Sequence, residues 1–202
     1  MLKNKTKRIE VCGGIASGKT TLVKLLERSD LFFPIYENFQ INPFWQPFYE
    51  DPLRFAFEAE ITFTLQHYHE LKKANTNKII VTDYSFILDD AYAQLGLKSA
   101  KLQIYNDLVE EIYQDLSQAD FIIFLECDPK TELNRIRKRN RQVEQNVQLD
   151  FLTNLNLIIK KVFDNKQFDN FLVINSEQFN FYNDSKDQLS ITQMIQEKIS
   201  SL

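Results

Sequence analysis

The sequence contains few of the residues and segments that mark several large classes of protein. Its two cysteines, Cys12 and Cys127, are far apart in the chain, so neither a disulfide framework nor a cysteine-based zinc site is indicated. No run of about 18 apolar residues occurs, and no membrane span is predicted. The basic start of the chain, residues 1–8, lacks the apolar segment of a secretory signal. These absences lead us to expect a cytoplasmic protein with reduced, buried thiols.

Positive charge is not in excess either. The 24 Lys and Arg residues are outnumbered by 28 Asp and Glu residues, which argues against a nucleic-acid polymer as partner. The two histidines, His67 and His69, lie two positions apart in a predicted helix and point to different faces, so they do not indicate a zinc site. A chain of 202 residues with 44% hydrophobic residues can bury one core, and we expect a single domain over residues 1–202.

Glycine is scarce, and its placement is informative. Three of the four glycines fall in the pattern Gly13-x4-Gly18-Lys19-Thr20, between a predicted strand and a predicted helix. This is a P-loop, in which backbone N–H groups bind phosphate oxygens, the lysine reaches the β- and γ-phosphates and the Thr20 hydroxyl holds Mg²⁺. The residues predicted to contact ATP are Gly13, Gly14, Ile15, Ala16, Ser17, Gly18, Lys19, Thr20 and Thr21.

Apolar runs alternate with helical patterns along the whole chain. Strands are predicted over residues 8–12, 31–37, 78–83, 120–126 and 170–175. Helices are predicted between them, except over the aromatic stretch 38–51, which is too irregular for a long helix. The alternation predicts an α/β protein of the P-loop NTPase fold, with a five-stranded, mostly parallel sheet that helices cover on both faces.

Two acidic residues stand at the carboxyl ends of predicted strands, where open parallel sheets bind their ligands. Glu37 follows the second strand and is either a general base for an attacking hydroxyl or a surface glutamate. Asp83 ends the third strand and is either a residue near Mg²⁺ or the N-cap of the helix that follows, a role that Ser85 could also fill.

Two further segments allow a structural and a functional interpretation. The cations at positions 135, 137, 138, 139 and 141 indicate either a solvated helix end or an Arg-rich lid, about residues 135–146, that closes over a transferring phosphoryl group. The aromatic residues between Phe39 and Phe57 indicate either core packing or the wall of a pocket for a flat ring.

In this order, these motifs resemble the deoxynucleoside kinase family, and most of all its bacterial purine-specific members, over roughly residues 8–175. The matching segments are Gly13–Thr20, Glu37-Asn-Phe, Asn42-Pro43, Phe48-Tyr49-Glu-Asp-Pro52, Arg54-Phe55 and Arg139-Asn-Arg141-Gln-Val-Glu144. The resemblance implies ATP- and Mg²⁺-dependent phosphorylation of a nucleoside 5′-hydroxyl in nucleotide salvage, and a homodimer. It assigns Glu37 as general base, Tyr49 and Glu144 to the sugar hydroxyls, and Arg135, Arg139 and Arg141 to the phosphates.

The departures from the family pattern cluster at the acceptor site. Tyr84, Glu60 and His67 occupy positions where the family has an arginine, a base-reading glutamine and a second arginine, while Asp89 matches an aspartate that helps contact the base. An ionised Glu60 would accept two hydrogen bonds from a guanine-type edge. With Phe39, Phe44 and Trp45, these residues form the predicted nucleoside site. The departures leave open a kinase of the same fold with a different small acceptor, or a non-catalytic nucleotide-binding module.

Overall fold

The computed structural model describes residues 6–200, so most of the basic N-terminus that we interpreted above lies outside the described residues. Within that range the chain forms one five-stranded sheet in the spatial order β2-β3-β1-β4-β5, and every pairing of neighbouring strands is parallel. The predicted α/β class and sheet are confirmed. The strands are β1 (Arg8–Gly13), β2 (Phe32–Ile35), β3 (Ile79–Thr82), β4 (Phe121–Glu126) and β5 (Phe171–Asn175).

Helices fill the connections between the strands. Asp51 caps α3 by accepting a hydrogen bond from the Arg54 N–H, and Pro52 occupies the first turn, as the Asp51-Pro52 pair predicts. The stretch 38–51, predicted to be irregular, contains a turn of 3₁₀ helix and the short helix α2. The helices are α1 (Lys19–Leu26), α2 (Trp45–Glu50), α3 (Pro52–Lys73), α4 (Phe86–Gly96), α5 (Ser99–Leu116), α6 (Pro129–Arg139), α7 (Leu149–Lys166) and α8 (Ser185–Ile199).

The two faces of the sheet carry separate hydrophobic cores because successive side chains of a strand point in opposite directions. Ile9 and Val11 of β1 pack on one face with residues of α1 and α8, among them Ile195. Cys12 points to the other face and joins Phe124 of β4 and residues of α4 and α7. Burial on both faces explains why the central strands are almost continuously apolar.

The two thiols differ in burial, although the sequence predicts both to be buried. Cys12 is buried, Cys127 is partly buried, and both are free cysteines. Across residues 6–200, no helix combines the length and the apolar character that crossing a membrane requires.

A buried polar contact joins α6 and α7 beneath the start of the P-loop. Glu132 of α6 has no exposed surface, and its Oε2 accepts a hydrogen bond of 3.0 Å from Asn156 Nδ2 of α7. The remaining oxygens, Glu132 Oε1 and Asn156 Oδ1, are buried without a hydrogen-bond partner and lie against Gly14. A Cβ atom at position 14 would lie only 2.1 Å from Glu132 Oε1, so a larger residue here would displace the Glu132 and Asn156 side chains.

Burial raises the pKa of Glu132 to about 7, against the lowering effects of the Asn156 hydrogen bond and of Lys19. Below about pH 7 the folded protein therefore holds Glu132 mainly as the neutral acid. A group whose pKa rises on folding stabilises the folded protein at pH values below its pKa in the unfolded chain, here 4.5. That stabilisation is lost as the pH rises through about 7.

We expect Glu132→Gln to remove this pH dependence, because glutamine is of similar shape and has no proton to lose. Above pH 7 the variant should unfold at a temperature higher than the parent by roughly 3–9 °C, corresponding to about 1–3 kcal/mol, and near pH 4.5 the two should agree. Thermal unfolding followed by circular dichroism across this range measures the difference. Glu111→Gln, at an exposed position of α5, is the control, and parallel curves for all three proteins would contradict the assignment.

Candidate active site

The P-loop connects β1 to α1 with a backbone that needs glycine. Gly13 and Gly18 have φ angles of +147° and +113°, and a Cβ at Gly13 would lie 2.6 Å from the carbonyl oxygen of Leu125. Lys19 begins α1, and its Nζ donates hydrogen bonds to the carbonyl oxygens of Gly13 (2.9 Å) and Gly14 (2.8 Å). The ammonium group therefore lies over the loop, at the N-terminus of a helix that attracts anions.

The Asp83 carboxylate connects the P-loop to the end of β2. Its Oδ2 accepts a hydrogen bond of 2.6 Å from the Thr20 hydroxyl, and its Oδ1 accepts one of 2.7 Å from the Glu37 backbone N–H. Burial raises the pKa of Asp83, whereas the hydrogen bonds from Thr20 and Glu37 lower it. The side chain that caps α4 is Ser85, which accepts a hydrogen bond from the Leu88 N–H at 3.2 Å. Asp83 is therefore not the N-cap.

A single cavity of about 1070 Å³ extends from the P-loop across the carboxyl ends of β1, β2 and β3. Such a volume exceeds what one small ligand needs and suits two substrates bound side by side. Most of the predicted site residues line it: Ile15, Ala16, Gly18, Lys19, Thr20, Thr21, Glu37, Phe39, Trp45, Tyr49, Glu60, Asp83, Asp89, Arg135, Arg139, Arg141 and Glu144.

Six predicted site residues do not line the cavity. Gly13, Gly14 and Ser17 form the underside of the P-loop and are buried. Phe44 packs against the cluster formed by α2, α3, α4 and α5. His67 and Tyr84 lie behind the wall of the cavity, 3% and 1% exposed.

We call the end of the cavity beside the P-loop the donor half and the end lined by Phe39, Trp45 and Glu60 the acceptor half, which has an aromatic wall and an acidic end. The rings of Phe39 and Trp45 have centroids 4.4 Å apart, and Tyr49 meets Trp45 edge-on at 6.1 Å. Glu60 of α3 and Asp89 of α4 are 4% and 5% exposed and close the opposite end. Burial, with Asp89 and Glu37 nearby, raises the pKa of Glu60 well above its ordinary value. Burial likewise raises the pKa of Tyr49.

Glu37 lies where the two halves of the cavity meet, and about a third of its side chain is exposed. Burial acts to raise the pKa of Glu37, but the nearby positive charges of His67, Lys19 and Arg141 outweigh that effect and lower it. Glu37 is therefore an ionised carboxylate at neutral pH, able to accept a proton or a hydrogen bond.

The arginines of the predicted lid have different partners. Arg135 of α6 donates to the carbonyl oxygens of Ala16 (3.2 Å) and Ser17 (3.1 Å) and to Ser176, so it holds the outer side of the P-loop. Arg139 makes a two-point contact with Glu144, at 2.7 and 2.6 Å. Arg141 lies 3.5 Å from the same carboxylate, and its guanidinium carbon is 4.6 Å from the centroid of the Phe39 ring.

The two remaining cations of this run, Arg137 and Lys138, lie on different sides of α6. Lys138 lines the cavity, whereas Arg137 donates to the carbonyl oxygen of Gln145 at 3.0 Å. Lys138 lies three positions after Arg135 and shares its face of α6, whereas Arg137 lies on a different face, so the positive charge is divided between two surfaces.

Several residues that line the cavity were not predicted from the sequence. Phe63 and Tyr92 belong to the acceptor half, and Lys24 to the donor half. The segment that follows β5 also contributes, through Ser176, Phe179, Asn180, Phe181 and Tyr182. The rule that ligands bind beyond the carboxyl ends of parallel strands points to this last segment, because it directly follows a predicted strand.

The donor set beside the P-loop fits Mg²⁺. The Thr20 hydroxyl and the Asp83 carboxylate are hard oxygen ligands 2.6 Å apart, close to the separation of about 2.9 Å between adjacent ligands of octahedral Mg²⁺. In the part of the chain that the structure describes, no group of three or more His, Cys, Asp or Glu side chains could hold a metal alone. Mg²⁺ typically takes few protein ligands together with phosphate oxygens and water, so these two residues suffice.

Comparisons with known proteins agree with this geometry. A family model described as deoxynucleoside kinase matches residues 9–200. Deoxyguanosine kinase of Bacillus subtilis (strain 168) is 28% identical over 152 residues, which cover 73% of this chain and 73% of that enzyme. Deoxyadenosine kinase of Lactobacillus acidophilus is 26% identical over 209 residues, which cover 96% of this chain and 97% of that enzyme.

Solved structures have the same fold. A deoxyadenosine kinase from M. mycoides, solved with bound dCTP, aligns over 96% of this chain and 100% of that one, with a TM-score of 0.78 and 22% sequence identity. At this identity the likeness supports the fold alone.

Proposed function

Because the chain belongs to the deoxynucleoside kinase family, we propose that it transfers the γ-phosphoryl group of ATP to the 5′-hydroxyl of a purine deoxynucleoside. Phosphorylation of a deoxynucleoside, a reaction of nucleotide salvage, follows from the family itself. One observation carries the finer proposal: the Glu37 carboxylate and the P-loop lysine, Lys19, line the same cavity, and Asp83 connects their two segments.

The donor half would hold the triphosphate of ATP. The loop N–H groups and Lys19 contact phosphate oxygens, and Lys19 exchanges the carbonyl oxygens of Gly13 and Gly14 for them. Thr20 and Asp83 would hold Mg²⁺, which would offset the negative charge of the phosphates. Most of the rate enhancement then comes from positioning and electrostatic stabilisation, since phosphoryl transfer needs little covalent help from a protein.

In the acceptor half, Glu37 would accept the proton of the 5′-hydroxyl. Tyr49 and Glu144 would bind the sugar hydroxyls, and the rings of Phe39 and Trp45 would stack on the base. Phe44 would act indirectly, because it packs behind this aromatic wall.

Residues 135–146 would form the lid of a single domain that spans residues 1–202. Arg139 and Arg141 both contact Glu144. On closure of the lid, the two arginines would exchange this carboxylate for phosphate oxygens, and Glu144 would then be free to bind the sugar. Arg135 would contact the phosphates without moving with the lid, because it already binds the carbonyl groups of the P-loop.

The purine preference rests on two supports. The relatives named above are deoxyguanosine and deoxyadenosine kinases. In addition, the raised pKa of Glu60 keeps its carboxyl group neutral, with one hydrogen-bond donor and one acceptor. That pair complements the N1 and N6–H₂ groups of adenine, whereas an ionised Glu60 offers two acceptors and complements the N1–H and N2–H₂ groups of guanine. Deoxyadenosine should therefore be favoured while Glu60 keeps its proton.

A homodimer in the cytoplasm is the proposed state of the enzyme. The free thiols support the location. Exposed apolar side chains on the adjacent helices α3 and α5, namely Leu53, Leu65 and Ile104, support self-association, because a second copy would cover them.

We expect Glu37→Gln to reduce kcat by about 10²-fold or more, because an amide cannot accept the hydroxyl proton. The affinity for ATP should stay within about twofold, because the P-loop contacts remain. Steady-state kinetics and ATP titration calorimetry measure the two quantities, with Glu111→Gln as control. Full turnover by Glu37→Gln would exclude Glu37 as the base.

We expect the preference for deoxyadenosine over deoxyguanosine, measured as a ratio of kcat/KM values, to fall as the pH rises across the range in which the enzyme stays folded, because burial raises the pKa of Glu60 well above its ordinary value. Loss of the Glu60 proton converts a donor–acceptor pair into two acceptors. Glu60→Gln, which stays neutral, should keep a constant ratio over this range. Turnover of pyrimidine deoxynucleosides alone, or the same pH dependence in both proteins, would refute the role of Glu60.

We expect light scattering to give twice the mass of one chain, and Leu65→Glu to give a monomer, because a charge at a buried apolar contact is costly. Leu157→Glu, at an exposed position of α7, should remain a dimer. A monomeric parent protein would rule out the homodimer.

A further inference from the structure

His67 lies outside the cavity yet touches two residues that line it. Its Nδ1 is 2.8 Å from Oδ2 of Asp89, and its Nε2 is 3.4 Å from Oε1 of Glu37. The second contact is an ion pair without hydrogen-bond alignment. One buried ring thus separates the residue assigned to accept the proton from a residue at the base end of the pocket.

The ring of His67 is also fixed from the side. Tyr84 stacks on it in parallel, with the centroids 3.9 Å apart and the planes 8° apart. Tyr84 therefore contacts His67 through the face of its ring and not through its hydroxyl. The hydroxyl is buried without a hydrogen-bond partner. An aromatic face attracts a cation, and more strongly where water is excluded.

The chemistry of the two partners determines the protonation state of His67. A neutral imidazole has one N–H donor and one bare acceptor nitrogen, whereas an ionised carboxylate is acceptor-only. Both ring nitrogens of His67 face carboxyl oxygens, so with Glu37 and Asp89 ionised both contacts are attractive only if both nitrogens carry protons.

We propose that His67 is a permanently protonated positioning residue, which holds the Glu37 carboxylate toward the acceptor hydroxyl and ties it to Asp89 at the base end of the pocket. This inference rests on the proposed function, because it takes Glu37 as the proton acceptor. Because His67 contacts both residues, binding of the base at Asp89 and the orientation of Glu37 depend on each other.

The surrounding charges support a cation at this position. The titratable groups that face His67 are Glu37 after β2, Asp89 on α4, Tyr84 after β3, and Glu60 on α3 itself. Burial lowers the pKa of His67, but Asp89 and Glu37 outweigh that effect and raise it to about 10. Removal of His67 would leave three carboxyl groups on the cavity wall without this cation.

The kinetic test uses His67→Gln, with His69→Gln as the matched control on the same helix, where His69 is exposed. We expect His67→Gln to lower kcat by about 10- to 100-fold and to raise the KM for the deoxynucleoside, because Glu37 and Asp89 lose their shared partner. The KM for ATP should change by less than about twofold. A kcat close to that of the parent, or an equal loss on the ATP side, would overturn the proposal.

A spectroscopic test does not depend on activity or on the folding of a variant at position 67. The chain has two histidines, so the ring ¹⁵N signals of His67 can be assigned by comparison with His69→Gln. The signals of His67 should stay those of an imidazolium up to at least about pH 9. A neutral imidazole at pH 7 would overturn the proposal even if the kinase is active. An imidazolium in a protein that phosphorylates no deoxynucleoside would instead refute the proposed function.

Discussion

The Asp83 carboxylate is the contact on which the candidate site depends. It accepts one hydrogen bond from Thr20 at the start of α1 and another from the backbone of Glu37 after β2. Two segments proposed to bind different substrates are thereby fixed to one buried carboxyl group at the end of β3. Because the sheet order places β3 between β1 and β2, a single side chain can reach both neighbours.

Charge is distributed unevenly between the two halves of the cavity. The donor half has Lys19, the loop N–H groups and the arginines of the proposed lid, a set of positive groups that suits the proposed triphosphate. The acceptor half instead gathers Glu37, Glu60 and Asp89, and His67 is the cation placed behind them. Three carboxyl groups are accommodated close together in two ways. The raised pKa of Glu60 favours its protonated form, and His67 pairs with the carboxylates of Glu37 and Asp89.

Several alternatives that the sequence left open were decided by contacts between residues far apart in the chain. Ser85, not Asp83, caps α4, which leaves the aspartate free to bind Thr20 and Glu37. The lid arginines, treated as one group in the sequence, divide between the P-loop carbonyls and Glu144. His67 and Tyr84, expected to bind the substrate, lie behind the cavity wall and stack on each other.

The P-loop, the α/β class, the five strands and the acidic residues at the strand ends could all be predicted, because local spacing and periodicity specify these features. Which side chains meet follows from the fold instead. The contact from His67 to Glu37 joins α3 to the end of β2, and the contact to Asp89 joins α3 to α4. Such pairings follow from strand order and helix packing, and no local pattern of residues records them. Burial, which sets the pKa values of Glu60 and His67, likewise exists only in the folded chain.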